Sequence, residues 1–178
     1  MDDFAKELRG RFRWVGGHAD ILGLTAEAGF LARSAVALAA PFAAADVTKV
    51  AGIEARGFVF GAAVALRLEV GFVAVRKAGS VHPGPKAVRA SEADWRGRRV
   101  AYELQRAVVA AGDRVLLVDD WAETGSQAAA ARALVEECGG TWAGVSLLVD
   151  QLDESVRAQL APVSSVLTHD QLPDSLGT

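Results

Sequence analysis

The chain has 178 residues, of which 51% are hydrophobic, so we expect one domain over residues 1–178 that buries its own core and is not disordered. The formal net charge of −3 argues against general nucleic-acid binding, and no apolar run is long enough to span a membrane. The single cysteine, Cys138, excludes an internal disulfide, and the acidic first residues do not resemble a signal peptide, so a cytoplasmic protein is expected.

The predicted elements alternate along the chain. Residues 1–46 are predicted to be mostly helical, with helices at residues 4–12 and 26–40. A turn at residues 54–57 is predicted to lead into a helix that ends near residue 68. Further helices are predicted at residues 127–137 and 153–159, and buried strands at residues 47–53, 71–75, 100–104, 115–118, 144–149 and 163–167. This alternation predicts an α/β fold with a doubly wound, mostly parallel sheet.

Residues 77–98 form a long predicted loop between two strands. A Pro-Gly-Pro run at residues 83–85 and a later glycine are too many breakers for a regular element, although a hairpin partner for the strand at residues 100–104 is expected within the segment. Loops of this length usually cover a binding site, so we interpret the segment as a mobile loop. Residues 76–99 carry seven basic side chains against two acidic ones, which favours a small polyanion such as pyrophosphate.

The most informative motif follows the buried strand at residues 115–118. Asp119 and Asp120 are expected at the carboxyl end of that strand, where ligands of open α/β sheets bind. A Thr-Gly-Ser turn at residues 124–126 then opens a helix, whose first backbone N–H groups attract anions. Paired carboxylates beside a phosphate cradle suit a sugar phosphate, because the acids accept from ribose hydroxyls while the turn holds the phosphate.

A second motif supports this interpretation. Residues 52–57 read Gly-Ile-Glu-Ala-Arg-Gly, and the next predicted strand ends in Val-Arg-Lys at residues 75–77. Together with the motif around Asp119, these segments resemble the type I phosphoribosyltransferases, and adenine phosphoribosyltransferases most closely. The resemblance covers about residues 47–149.

The resemblance implies a function and a set of site residues. It implies transfer of a 5-phosphoribosyl group from phosphoribosyl pyrophosphate (PRPP) to a purine-like base, with adenine the expected base, and release of pyrophosphate in purine salvage. It also implies Mg²⁺ without direct protein ligands, a homodimer, and catalytic roles for Asp119, Asp120 and Glu123. The residues expected to bind PRPP are Glu54, Ala55, Arg56, Gly57, Arg76, Lys77, Asp119, Asp120, Ala122, Glu123, Thr124, Gly125, Ser126 and Gln127.

Three departures from the adenine enzymes concern the base. In those enzymes a small N-terminal hood encloses the base, and the resemblance implies such a hood over about residues 1–46 of this chain. The segment here lacks their Phe-Pro-x-Pro-Gly run, and in its place Trp14 is a candidate to stack on the base while His18 or Asp20 reads its edge. The loop lacks their Leu-Glu-Tyr-Gly stretch, whose Glu helps proton transfer. Glu123 stands directly before Thr-Gly, as in hypoxanthine–guanine enzymes, where the acid faces the purine N7. An exposed helix-start residue is an equal alternative for Glu123.

These departures leave two alternatives to an adenine enzyme. The first is the same chemistry on a 6-oxopurine or an unusual heterocycle. The second is a non-catalytic sensor that binds PRPP or a nucleotide, because binding alone needs the same motif residues.

Overall fold

The computed structural model describes residues 2–79, 81, 83–93 and 97–174. Its strands are β1 (Trp14–Val15), β2 (His18–Ala19), β3 (Lys49–Ile53), β4 (Gly71–Lys77), β5 (Lys86–Ala90), β6 (Ala101–Gln105), β7 (Arg114–Ala122), β8 (Thr141–Asp150) and β9 (Val163–Thr168). Its α-helices are α1 (Asp2–Arg11), α2 (Ile21–Thr25), α3 (Phe30–Ala39), α4 (Arg56–Leu68), α5 (Ser126–Glu137) and α6 (Glu154–Leu160). None of the helices in these described ranges is long and apolar enough to cross a membrane.

The described part of the chain contains one large sheet. Seven strands pair in the order β5-β6-β4-β3-β7-β8-β9, and β1 pairs with β2 in a separate hairpin. Pairing is parallel from β4 to β9 and antiparallel at the β4–β6 and β5–β6 borders. The predicted α/β fold with a mostly parallel sheet is therefore confirmed.

The sheet has a hydrophobic cluster on each face. Successive side chains of β7 alternate between the faces, so Leu116 and Val118 pack with α1, α3 and α4, whereas Leu117 packs with α5 and α6. Phe60 of α4 and Leu134 of α5 are completely buried in the two clusters. Burial on both faces explains the continuous apolar run Val115–Val118 of β7.

The start of α4 lies unusually close to β3. A Cβ atom on Gly52 would collide with the backbone oxygen of Gly57, so the strand does not tolerate a side chain at this contact. The prediction of a turn over residues 54–57 was too long, because Arg56 and Gly57 already belong to α4. The close contact brings the first turn of α4 against the end of β7.

β7 extends further than the sequence predicts. The apolar run ends at Val118, but pairing with β8 continues to Ala122, which lies opposite Asp150. Asp119 and Asp120 therefore lie within a strand and not beyond it. The reason is that β8 also continues to Asp150, so it supplies backbone partners for the polar end of β7.

The predicted loop at residues 77–98 is partly regular. Residues Lys86–Ala90 form β5 and pair with β6 over five residue positions, so the expected hairpin partner is confirmed and the expectation of no regular element was wrong. The Pro-Gly-Pro run ends at residue 85, immediately before β5, so it does not interrupt the pairing. Residues 80, 82 and 94–96 of this predicted loop lie outside the described residues. Its mobility, like the role of residues 1–46 as a hood, stays a prediction.

Candidate active site

A cavity of about 120 Å³ opens where β7 ends and α5 begins. Its walls also include Arg56 at the start of α4 and Leu147 of β8. The predicted site residues among those that line it are Arg56, Asp119, Ala122, Glu123, Thr124, Gly125, Ser126 and Gln127. The carboxyl edge of the parallel sheet thus collects the second half of the predicted site in one place.

The turn before α5 has the geometry of an anion cradle. Gly125 precedes the helix with a φ of +68°, and a Cβ atom there would collide with Val156 of α6. The hydroxyl groups of Thr124 and Ser126 are 3.0 Å apart, so they are held together by a hydrogen bond. Helix geometry leaves the N–H groups of Gln127 and Ala128 without an intrahelical acceptor. These donors and hydroxyls can hold a phosphate.

The two consecutive aspartates have different surroundings. Asp119 lines the cavity, and its Oδ1 accepts a hydrogen bond from the Asp120 backbone N–H at 2.9 Å. Asp120 is 2% exposed and is not among the lining residues; its Oδ2 lies 3.0 Å from Nε of Arg56. Neighbouring strand residues point to opposite faces, so the pair cannot act as two equivalent carboxylates. Asp120 reaches the cavity through Arg56.

Burial makes this pair electrostatically costly. Desolvation raises the pKa of Asp119 well above its ordinary value, and the nearby Asp120 carboxylate raises it further. Desolvation also raises the pKa of Asp120, while the Arg56 guanidinium opposes that rise. A cation or a hydroxyl donor bound in the cavity would therefore stabilise the ionised form of Asp119.

The turn at residues 54–55 is tied to the end of β4. The Glu54 carboxylate accepts from the Lys77 backbone N–H at 3.2 Å and from Nε of Arg76 at 3.4 Å. A cis peptide bond joins Glu54 to Ala55. Lys77 and Ala55 are exposed. The start of α4 lies close to Asp119, because a Cβ atom on Gly57 would lie 3.0 Å from Oδ1 of Asp119.

The structure therefore brings the ends of β3 and β4 together beside the cavity, without making them part of its lining. The predicted residues that it leaves outside the lining are Glu54, Ala55, Gly57, Arg76, Lys77 and Asp120.

Glu123 is the second acid of the cavity lining. Its side chain is half-buried at the end of β7, directly before the phosphate turn. Within the described ranges it has no ion pair and no hydrogen bond to another side chain. The carboxylate is thus available to a ligand, unlike Glu54, which is engaged by β4.

The base candidates of the hood do not line this cavity. The ring of Trp14 packs against Phe12 and Trp121 at centroid distances of 5.1 and 6.0 Å, and its Nε1 donates to the Pro173 carbonyl at 2.8 Å. His18 is exposed on the β1–β2 hairpin. The Asp20 carboxylate accepts from the Gly23 backbone N–H at 2.9 Å and caps α2.

Trp121 is a cavity residue that sequence reasoning missed. It lines the cavity, and its Nε1 donates to Oε1 of Gln151 at 3.0 Å. Its indole ring also packs 5.7 Å from His169. The available signal was its position directly after the aspartate pair.

Comparisons with known proteins agree with this geometry. The family model of the phosphoribosyl transferase domain matches residues 28–169. An adenine phosphoribosyltransferase of Bifidobacterium adolescentis is 44% identical over 116 residues, which are 65% of this chain and 58% of that relative. The enzyme of the same name from Streptomyces coelicolor is 40% identical over 143 residues, which are 80% of this chain and 77% of that relative.

A solved structure extends the likeness to the whole fold. Adenine phosphoribosyltransferase of Saccharomyces cerevisiae, crystallised with an imino-altritol bisphosphate and adenine, superposes with a TM-score of 0.80 at 30% identity. The match covers 94% of this chain and all of that one (100%). This chain therefore belongs to the phosphoribosyltransferase family, and the relatives to which it is similar are adenine phosphoribosyltransferases.

Proposed function

We propose that this protein transfers a 5-phosphoribosyl group from PRPP to adenine and releases pyrophosphate, as a step of purine salvage. One observation carries the proposal: Asp119, Glu123 and the phosphate turn at residues 124–127 line a single cavity. The names of its relatives and the adenine in the yeast structure support the choice of base.

The mechanism depends on positioning and charge. As the bond from ribose C1 to pyrophosphate breaks, C1 gains positive charge and the leaving group gains negative charge. Asp119 accepts from a ribose hydroxyl, and the turn at residues 124–127 holds the 5′-phosphate through backbone N–H groups and hydroxyls. Arg56 and Lys77 lie at the pyrophosphate end and stabilise the leaving group. Holding both ends of PRPP in this way brings C1 to the attacking ring nitrogen.

Mg²⁺ is the cofactor that fits this site. Asp119 offers a half-buried carboxylate whose pKa is raised by desolvation and by the nearby Asp120 carboxylate, so a nearby cation would favour its charged form. Within the described ranges, no three His, Cys, Asp or Glu side chains are grouped so that they could hold a metal ion by themselves. A hard cation held mainly by substrate oxygens and water is compatible with this donor set. When bound, it would neutralise charge on the pyrophosphate.

The assembly and location are part of the same proposal. We infer a homodimer in the cytoplasm that acts on PRPP and a nucleobase, without membrane or nucleic-acid partners. The support is the family membership and the acidic net charge of −3.

A second candidate function is the same transfer to a 6-oxopurine. Glu123 favours it, because a half-buried carboxylate without a partner among the described residues can accept from a ring N–H in the cavity. Adenine and 6-oxopurines differ in the hydrogen-bonding groups at their edges, so a single carboxylate can discriminate between them.

Pyrophosphate release across a panel of bases tests both candidates and the sensor alternative. The purified protein would be mixed with PRPP, Mg²⁺ and adenine, hypoxanthine or guanine in turn. We expect the highest kcat/KM with adenine. A preference for hypoxanthine or guanine would support the second candidate, and PRPP binding without release for any base would identify a sensor.

A further inference from the structure

Glu137 joins the last turn of α5 to both strands of the β5–β6 hairpin. Its Oε2 lies 2.6 Å from Nη2 of Arg89, and its Oε1 pairs with Nη2 of Arg106. Arg89 belongs to β5, and Arg106 directly follows β6. The Glu137 side chain is 21% exposed, whereas the Arg89 and Arg106 side chains are 49% and 44% exposed, so the carboxylate is the shielded partner of this double ion pair.

β6, one of the two strands of this hairpin, is the neighbour of the basic end of β4. β6 pairs with β4 at only two positions, Arg76 with Glu103 and Lys77 with Tyr102. The placement of Arg76 and Lys77 therefore depends on β6 as well as on the Glu54 carboxylate, which binds both residues. A group that ties the hairpin to α5 also helps to fix these two basic residues relative to α5.

The other end of α5 carries the phosphate turn. The helix has 12 residues, so about 18 Å separates its ends, and Ser126 and Gln127 at its start line the cavity. We propose that Glu137 is a positioning residue that sets the distance between the pyrophosphate end and the 5′-phosphate end of the PRPP site. This inference rests on the proposed function, because it assumes that PRPP spans both ends.

Binding of two-ended and one-ended ligands tests the inference. In Glu137→Gln, the hairpin keeps a hydrogen-bond acceptor but loses the charge that holds two arginines. We expect PRPP to bind about tenfold more weakly, because small displacements of a positioning element have large effects on a ligand held at both ends. Ribose 5-phosphate and pyrophosphate, which each occupy one end, should bind within about twofold of the wild type by calorimetry.

Glu136 provides the matched control. It is the adjacent glutamate of α5, and it pairs with Arg132 of the same helix at 2.8 Å; among the described residues it forms no ion pair with β5 or β6. Glu136→Gln should leave the affinity for all three ligands unchanged. Arg89→Gln removes only one of the two ion pairs and should weaken PRPP by a smaller factor, which keeps the test available if Glu137→Gln does not fold.

The outcomes separate the inference from the function on which it rests. Equal weakening of all three ligands in Glu137→Gln would show a general loss of structure and overturn the positioning role. Unchanged PRPP affinity in Glu137→Gln and in Arg89→Gln would also overturn the positioning role, while leaving the proposed function intact. A wild-type protein that binds neither PRPP nor pyrophosphate would overturn the proposed function itself.

Discussion

At the scale of single residues, Asp119 is where stability and ligand binding oppose each other. Burial and the Asp120 carboxylate raise its pKa, so the ionised form is disfavoured in the folded protein. We expect Asp119→Asn to increase the free energy of unfolding at pH 7, because the amide carries no charge to desolvate. PRPP affinity should fall by roughly 1.5–3 kcal/mol, the value of a charged hydrogen bond. Urea denaturation and calorimetry measure the two effects.

The stability difference between Asp119→Asn and the wild type should depend on pH. A carboxyl whose pKa is higher in the folded state than in the unfolded chain binds its proton more tightly when folded. Its contribution to stability is therefore complete below the ordinary pKa of 3.8 and is lost as the pH rises through the folded pKa. The advantage of Asp119→Asn should accordingly grow with pH across that window. An advantage that does not vary with pH would contradict the raised pKa.

Glu123 decides the chemistry at the base. If its carboxylate meets the ring nitrogen, Glu123→Gln should lower kcat on the order of a hundredfold while PRPP affinity stays unchanged, because general acid–base help is lost and phosphate contacts are not. Steady-state kinetics with the best base of the panel measure this effect. Glu154→Gln, at an exposed helix-start position of α6, is the control. A turnover within about twofold of the wild type would show that Glu123 takes no part in proton transfer.

At the scale of elements, the turn before α5 depends on Gly125. Its φ is +68°, and a Cβ atom there would lie 3.1 Å from Leu152 and would collide with Val156. Gly125→Ala should therefore destabilise the protein by more than the roughly 1–2 kcal/mol that a left-handed backbone costs an L-residue. Gly125→Ala should also weaken the binding of ribose 5-phosphate, because it displaces the phosphate turn at residues 124–127.

Gly112→Ala separates the two causes. Gly112 also has a positive φ, +94°, but no atom lies within 4 Å of a Cβ built there. Thermal unfolding of both variants should give a smaller loss for Gly112→Ala, with unchanged ribose 5-phosphate binding. Equal losses of stability would show that packing against α6 contributes nothing at Gly125.

The first turn of α4 and the end of β4 both serve the pyrophosphate end of the proposed site. Arg56→Ala and Lys77→Ala should each weaken the binding of pyrophosphate more than the binding of ribose 5-phosphate. Arg56→Ala should also lower the free energy of unfolding, by about 1–3 kcal/mol, because it leaves the buried Asp120 carboxylate without its cation. Lys77 is exposed, so Lys77→Ala should lower the free energy of unfolding less. Calorimetry and urea denaturation on both variants measure these differences, and equal losses for the two ligands would contradict the assignment.

At the scale of the whole molecule, ligand binding should appear as stability. PRPP with Mg²⁺, at a hundred times its Kd, should add about 2.7 kcal/mol to the free energy of unfolding, because the unfolded chain does not bind it. Mg²⁺ alone should add nothing measurable, since the metal is held mainly by substrate oxygens. A chelator should remove most of the gain from PRPP. Stabilisation by Mg²⁺ alone would indicate a metal site built from protein ligands.

Several local features were predictable because they depend on neighbouring residues. The strand at residues 115–118 and the helix at residues 127–137 follow from apolar periodicity, and Gly125 marks the turn between them. Errors arose where the partner is distant in the sequence. β7 continues to Ala122 because β8 pairs with it, and β5 forms despite nearby breakers because β6 is alongside.

The order of the elements, the family resemblance and the two motifs of the site can be read from the sequence, since each depends on residues close together in the chain. Tertiary structure alone decided which side chains meet. It separates Asp119 in the cavity from Asp120 against Arg56, and it joins Glu137 to a distant hairpin. Such contacts depend on strand order and on how helices pack against the sheet, and neither quantity is encoded in local periodicity.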